Sequence, residues 1–467
     1  MKRRLHLYQI IILDFISAYL AWMAFYFLRK KILGEVFDGY PWYVYINAFL
    51  ISVFWVIWYW FFGFYVEVYR KSRIKEIFLL LTTTFLGSVI LFFILMLDDQ
   101  VQSDYKNYYK LFALYYLLQY GLTVVIKIFL ISHIRRLVKR KKIFFNTLII
   151  GSGSRALNLY REIENSFDIL GFKFLAYLHA GDTASEALSQ HVRCLGGLEN
   201  LEKVVRRLRI EQLVIALEEN ELHLIPDVLN RMEKYRATRI SIIPDIHKYL
   251  IGSIRVNHNF DLPLMDIDQE LMPVWQSHLK RLSDIIVSLI VLTTMFPFFI
   301  IIAIIIKLTS KGPILFKQER IGKDGKPFKI IKFRSMYVDA EANGPTLSKE
   351  GDKRITKFGR FMRKTRIDEF PQFYNVLVGE MSLVGPRPER QYYIDQIVKI
   401  APHYKHLHKV RPGITSLGQV KFGYAQNVEE MVERLKYDIL YIENMSFAMD
   451  LRIILYTIIT MIQGRGK

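Results

Sequence analysis

Two acids, Asp368 and Glu369, stand side by side in a run at 363–389 that reads RKTRIDEFPQFYNVLVGEMSLVGPRPE. Pro371 follows them and opens helices readily, because the N–H it lacks would be unpaired in a first turn anyway. The acids are therefore expected where a short helix begins, over about 371–378. A helix start offers free N–H groups and a partial positive charge, so it favours ionised carboxylates and bound phosphate alike. Upstream, Lys353, Arg354, Lys357, Arg360, Arg363, Lys364 and Arg366 crowd one segment; downstream, Arg387 lies between two prolines that stiffen its backbone. Each feature alone has a plain explanation, since first-turn acids are common stabilisers and a basic helix is usually a solvated face. Acids enclosed by cations in a chain that enters the membrane suit phosphate chemistry on a lipid carrier.

The elements that must hold this pair belong to a membrane protein of more than one domain: 467 residues, 52% of them hydrophobic, with a positive mean hydropathy. A net charge of +20 on so apolar a chain points to anionic lipid headgroups or phosphorylated substrates. Nucleic acid is the competing partner and is not expected, because the aromatic residues gather in apolar spans and not among the basic clusters. The single cysteine, Cys194, excludes an internal disulfide framework and a multi-cysteine metal site. The apolar run that follows the basic N-terminus continues to Leu28 without a small-residue cleavage site, so it reads as an anchor.

Four apolar spans, at about 5–28, 43–66, 77–97 and 108–132, each approach the ~20 residues that a spanning helix needs. Lys2, Arg3 and Arg4, then Arg70, Lys71, Arg73 and Lys75, then Arg135, Arg136 and Lys139 to Lys142 fall on one side, which the positive-inside rule makes cytoplasmic. The opposite loops carry Asp98, Asp99 and Asp104, with Arg29, Lys30 and Lys31 as an outnumbered exception. Everything after residue 133 is then cytoplasmic. From 146 to 268 short apolar runs alternate with amphipathic helices, the pattern of a parallel α/β sheet. Its first turn, Gly151-Ser152-Gly153-Ser154-Arg155-Ala156, resembles a dinucleotide fingerprint. The next strand, FKFLAYL, has no acid at its tip before Asp182, so the glycines are expected to serve the turn and not a nucleotide. A polar linker is expected over 259–273.

The C-terminal part, from residue 280 onward, closely resembles the bacterial polyprenyl-phosphate hexose-1-phosphate transferases, the monotopic phosphoglycosyltransferases that begin surface polysaccharide assembly. The matching pieces are KRLSDIIVSLIVLTTMFPFFIIIAIIIKLTSKGPILFKQERIGKDGKPFKIIKFRSM at 280–336, the acid-pair run, and VRPGITSLGQV at 410–420. The part before it resembles, in layout more than in motifs, the N-terminal extension of the family's large members, where an α/β domain has a regulatory or architectural role. The resemblance implies three parts: a transmembrane four-helix domain at 1–133, a Rossmann-like α/β cytoplasmic domain at 144–268, and an α-rich catalytic domain at 278–467. The apolar run at 285–306 is long enough to cross, yet Pro297 lies near its middle and Lys280, Arg281, Lys307 and Lys311 flank both ends. The charge symmetry and the resemblance favour a proline-broken re-entrant helix over 283–308 that enters and leaves by the cytoplasmic face.

The resemblance implies transfer of a sugar-1-phosphate from a UDP-hexose, with glucose or galactose favoured, to polyprenyl phosphate at the bacterial inner membrane. Asp368 matches the family's nucleophile, which forms an aspartyl phosphosugar and splits the transfer into two steps. Glu369 matches the acid that holds Mg²⁺, the one cofactor expected. Arg363 and Arg387 match phosphate-binding arginines, for which bidentate guanidinium contacts are suited. Lys332 is a third candidate cation, and Arg411 in VRPGIT is a candidate contact to nucleotide or lipid phosphate. Expected partners are these two substrates and membrane lipids, with a homodimer as an option.

Around the site, 315–333 reads as two short strands about Gly325, and 355–364 places Phe358, Phe361 and Met362 on one helix face, as in an interfacial helix. His403, His406 and His408 read as solvated surface. Ser416 and Gly418 stand where the family commonly has Gly and a bulky aromatic. Two alternatives from other classes are a membrane-anchored oxidoreductase built on the glycine turn and a non-catalytic scaffold for polysaccharide assembly.

Overall fold

The computed structural model describes residues 2–66, 68–70, 73–96, 105–165, 171–181, 186–232, 235, 238–243, 264–267, 271–338, 340, 344, 352–423 and 425–462. The chain forms two compact units: residues up to 267 apart from 233–235, and residues from 268 onward together with 233–235.

The first unit begins with four apolar helices, α1 (Lys2–Leu33), α2 (Trp42–Phe61), α3 (Arg73–Leu91) and α4 (Tyr105–Lys139), all long and apolar enough to cross a membrane. A π-helical turn, Phe92–Met96, extends α3. The acidic markers Asp98, Asp99 and Asp104 lie outside the described residues, as does Lys71. Large aromatics fill the space between helices: Trp22, Phe25, Trp55, Tyr59 and Tyr115 are buried, and Trp55 Nε1 donates to the Tyr115 hydroxyl at 2.8 Å. Two charges are buried among them. Lys127 of α4 meets Asp14 of α1 at 2.7 Å and lies over the rings of Tyr59, Phe64 and Tyr65. Unpaired, either charge would be costly among apolar helices, so the pair ties α1 to α4.

The same unit carries a six-stranded sheet of β1 (Phe145–Ile150), β2 (Phe172–His179), β3 (Cys194–Gly197), β4 (Gln212–Ile215), β5 (Arg239–Ile242) and β6 (Met265–Ile267), in the order β3-β2-β1-β4-β5-β6. The first five strands are parallel, as the strand–helix alternation requires, and β6 is antiparallel to β5. The helices between them are α5 (Ser154–Asn165), the single turn α6 (Glu186–Ser189), α7 (Leu201–Leu208) and α8 (Ile225–Met232). Two strands were not foreseen. β3 is only four residues with two glycines, and β6 lies within the stretch expected to be a linker; the rest of that stretch up to 263, and residues 268–270, lie outside the described residues.

The second unit opens with α9 (Val274–Thr309), a helix that begins earlier than expected and runs through Pro297 without interruption. Helical structure continues through the proline, although the missing N–H removes one backbone bond. The hairpin of β7 (Leu315–Ile321) and β8 (Pro327–Phe333) follows, then α10 (Lys357–Thr365) and α11 (Gln372–Val378). A parallel pair, β9 (Ser382–Val384) and β10 (Gly413–Thr415), is surrounded by α12 (Gln391–Ile400), α13 (Leu417–Lys421), α14 (Val428–Glu443) and α15 (Phe447–Ile462). Ile394, Ile397, Leu407, Leu435 and Ile442 lie at the centre of its main apolar core.

Candidate active site

The acids lie in their own 3₁₀ turn, Ile367–Glu369, ahead of α11. Pro371 caps that helix from outside, so the pair precedes the first turn expected to hold it. Arg366 makes the junction. It closes α10 and opens the 3₁₀ turn in the left-handed conformation, φ 57°, which residues other than glycine seldom adopt. The Arg366 carbonyl accepts from Glu369 N at 3.1 Å, which turns the chain sharply and holds both acids beside β8.

β8 supplies the cation. Pleating puts Phe328, Ile330 and Lys332 on one face, and burial of the first two carries Lys332 inward, whereas Lys329 points the other way and is exposed. Lys332 Nζ donates to Glu369 Oε1 at 2.7 Å, and Arg366 approaches the other oxygen at 3.9 Å. Asn375 of α11 fixes the strand against the acid turn: its Oδ1 accepts from Ile331 N at 3.1 Å and its Nδ2 donates to Lys329 O at 2.9 Å. No sequence signal singles out Asn375, and Arg366 stands in the sequence only as one of the cations crowding the acid pair.

The remaining cations come from two further elements. Thr356 caps α10 by accepting from Gly359 N at 2.8 Å, and a side chain at 359 would collide with Ser335 O, so glycine lets α10 sit directly on the end of β8. That contact brings Arg363 to Ser335, where its Nε donates to Oγ at 3.1 Å. Met362, expected on a membrane-facing side, is instead buried against Ile306 and Phe333, while Phe361 stays exposed. Arg387 is carried by the loop after β9. The next acid, Glu389, is buried between Arg434 at 2.7 Å and Arg320 at 3.1 Å, and Arg320 also donates to Pro388 O. This ion-paired anchor, invisible from sequence spacing, holds the loop that presents Arg387.

The surroundings split the two acids. Burial, then the charge of Glu369, push the Asp368 carboxyl up to about 6, while Lys332 and Arg363 pull the other way. Burial would raise Glu369 too, but the charges of Lys332, Arg387 and Arg366 and the Lys332 hydrogen bond outweigh it and hold that carboxyl at about 2. The helix-start field expected to keep both acids ionised is thus overridden at Asp368 by burial. Lys332 is itself lowered by burial, against the pull of Glu369. One acid is poised between charged and neutral forms, the other is fixed as an anion, and Lys332, Arg363 and Arg387 all bear on the pair.

Arg411 takes a different place. Burial lowers its guanidinium, and the charges it feels most are Arg281 and Asp284 of α9, not the acid pair. The residues that depart from the family form have local reasons: Ser416 caps α13 by accepting from Gln419 N at 3.0 Å, and a Cβ on Gly418 would lie 2.7 Å from Arg434 Cγ and 2.9 Å from Asp438. His403, His406 and His408 lie on the 3₁₀ segment Pro402–Lys409, and burial lowers His406 and His408. Among the described residues no cluster of three or more His, Cys, Asp or Glu side chains could hold a metal by itself.

Residues 275–464 match the family described as bacterial sugar transferase, and residues 60–244 match a CoA-binding domain. Over 224 residues the chain is 39% identical to the UDP-N-acetylgalactosamine-undecaprenyl-phosphate N-acetylgalactosaminephosphotransferase of Aeromonas hydrophila, an alignment covering 48% of this chain and 52% of that one. It is 36% identical over 265 residues to the UDP-glucose:undecaprenyl-phosphate glucose-1-phosphate transferase of Klebsiella pneumoniae, covering 56% and 57%. Against the exopolysaccharide production protein PSS of Rhizobium leguminosarum bv. phaseoli it is 39% identical over 198 residues, 40% of this chain and 98% of that one. The chain thus spans little more than half the length of the first two relatives and nearly all of the third.

Proposed function

The chain belongs to the bacterial sugar transferases, and on that premise we propose that it moves a hexose-1-phosphate from a UDP-sugar to undecaprenyl phosphate, the first membrane step of polysaccharide synthesis. The observation that carries this reading is the split acid pair: a buried Asp368 raised to about 6 beside a Glu369 held ionised by Lys332. A carboxylate with a raised pKa is ionised at neutral pH and is a better nucleophile than an ordinary one. Asp368 attacks the sugar-bearing phosphorus, the bond to UMP breaks, and an aspartyl phosphosugar remains. A phosphate oxygen of undecaprenyl phosphate then attacks the same phosphorus and frees the carboxylate, leaving undecaprenyl-diphosphate sugar.

Arg363, Arg387 and Lys332 neutralise the diphosphate and steady its oxygens as charge shifts to UMP. Arg411, beside α9, is assigned to the lipid phosphate. Two adjacent carboxylates fit Mg²⁺, which needs only one or two of them together with substrate phosphates. Glu369 would hold the ion, whose contribution when bound is to draw charge from the leaving phosphate.

We read the architecture as three parts, a transmembrane bundle at 1–133, a Rossmann-like domain at 144–268 and a catalytic domain at 278–467, with the catalytic domain on the cytoplasmic face of the inner membrane. The contacts of α9 support a re-entrant course. Near one end, Arg281 donates to Val376 O at 2.6 Å and Leu377 O at 2.8 Å; just past the other, Ser310 O accepts from Arg334 at 2.8 Å. A straight helix of 36 residues is about 54 Å long, well beyond the ~30 Å hydrocarbon core, and would part those ends across the bilayer. Yet β8 and the residue just past it bind both, through Ile331 to Asn375 next to Val376 and through Arg334 itself. A bend near Pro297 keeps both flanks on one face.

The test is UMP release by the detergent-purified protein with a panel of UDP-sugars, with and without undecaprenyl phosphate. One UDP-sugar should yield up to one equivalent of UMP without acceptor and a phosphosugar adduct on Asp368 by mass spectrometry. If UMP never appears without acceptor and no adduct can be trapped, the covalent route fails; if no UDP-sugar reacts even with acceptor, the transferase reading fails.

A further inference from the structure

The match to a CoA-binding domain over residues 60–244 implies a phosphate-bearing ligand on the first unit. In parallel sheets ordered like this one, ligands sit outside the carboxyl ends of the strands where the order reverses, here between β1 and β4. The glycine turn after β1 and the start of α5 lie at that point, and the first N–H groups of such a helix form a ready anion site. The residues present do not leave it open. Gly151, at φ 119°, serves packing of the turn against β4, since a Cβ there would lie 2.2 Å from Ala216 O. Above Gly153, where a pyrophosphate would come closest to the backbone, Glu218 Oε1 lies 2.2 Å from the position of a Cβ.

We infer that this anion site is filled from within: the Glu218 carboxylate sits where a ligand phosphate would sit, and the native domain takes neither CoA nor a dinucleotide. Glu218 Oε1 accepts from Arg155 N at 2.9 Å and from Ser154 Oγ at 3.2 Å, the donors of the first turn of α5. The cation at the turn is engaged as well, Arg155 lying 2.6 Å from Glu219 and 3.8 Å from the second oxygen of Glu218. Glu218 N donates to Glu221 Oε2 at 3.0 Å, which holds the segment after β4 in place. A pyrophosphate entering here would meet Glu218, Glu219 and Glu221 and would have to displace a carboxylate already hydrogen-bonded. Like charges at such distances repel strongly where water is partly excluded. This inference concerns the first unit and is independent of the transferase reading.

The experiment is calorimetric titration and thermal melting of the full chain in detergent, as wild type, Glu218→Ala and Gly153→Val, with CoA, NAD⁺ and pyrophosphate at up to about 1 mM, where affinities weaker than that range leave no saturable heat. Wild type should show no saturable binding of CoA or NAD⁺. Glu218→Ala should melt lower than wild type, and pyrophosphate should raise its melt by more than it raises that of wild type, whose active site is the diphosphate-binding site the two proteins share. Saturable CoA or NAD⁺ binding by wild type that is lost in Gly153→Val would overturn the inference. So would a Glu218→Ala protein that melts like wild type and responds to pyrophosphate no more than wild type does.

Discussion

Replacing Asp368 by Asn keeps the shape of the side chain and removes its charge, and the structure predicts opposite effects on stability and on turnover. The native carboxyl is raised from 3.8 to about 6, first by burial and then by Glu369. A group whose folded pKa is raised contributes stability below its unfolded pKa and loses it as pH rises through the folded value. The window here runs from about 4 to about 6. At pH 7 the ionised Asp368 therefore costs the native state up to about 3 kcal/mol, two pKa units at ~1.4 kcal/mol each. Asn carries no such cost, so Asp368→Asn should melt at or above wild type at pH 7, and the gap should narrow to about half at pH 5, midway through that window. Turnover should fall by about 10⁴ or more, as when an attacking group is removed. The assays are melting scans at the two pH values and UMP release. An acid that merely steadied a helix start would instead lose about 0.5–2 kcal/mol on replacement and leave the folded fraction active. A lower melt with residual activity would refute the assignment.

Three further outcomes follow from the same geometry. Lys332→Met leaves Glu369 buried without its 2.7 Å partner; a cost of about 3–5 kcal/mol and a raised KM for UDP-sugar are expected, read by melting and by UMP kinetics. Glu369→Gln should raise the Mg²⁺ concentration needed for half-maximal UMP release while sparing the ability of Asp368 to form adduct at high metal, and an unchanged Mg²⁺ titration would remove Glu369 from the metal. Cysteines introduced at His278 and Lys311, on either side of the apolar part of α9, should both be labelled only from the cytoplasmic face; labelling of position 311 from outside intact cells would mean a straight crossing.

Periodic features were legible from the chain alone. The four apolar spans appear as helices, of which α1 and α4 run longer than their hydropathy because basic flanks such as Arg135 and Arg136 continue the helix beyond the apolar stretch, while α2 and α3 end short of theirs. The strand–helix alternation located β1, β2, β4 and β5, whose central apolar residues are buried on both faces. β3 and β6 escaped because three or four residues paired on a sheet edge carry no periodic pattern. Pro297 points to a break because proline removes a backbone bond, yet a single lost bond among 36 residues leaves the helix continuous. The ion pair of Asp14 with Lys127 was also out of reach: each looks like an isolated charge until α1 and α4 are side by side.

At the acid pair the residue types were legible from the chain itself, and their expected division of labour came only from the family resemblance. Adjacency of Asp368 and Glu369 says nothing about which is nucleophile, because in sequence they share one environment. The fold separates them through one contact. Lys332 reaches Glu369 because Phe328 and Ile330 turn that face of β8 inward, a period-two pattern of the strand. With Lys332 spent on Glu369, the helix-start field is too weak to offset the burial of Asp368, which is 6% exposed. The result is one carboxyl held as an anion, suited to a hard cation or a diphosphate, and one raised to about 6, ionised at pH 7 yet with the basicity a nucleophile needs. Exchanging the order of the two residues would put the shorter acid at the lysine and the longer one in the buried position. Asp368→Glu paired with Glu369→Asp should therefore retain charge, lose the 2.7 Å contact, and fail to form adduct, which mass spectrometry of the UDP-sugar-treated double variant would check.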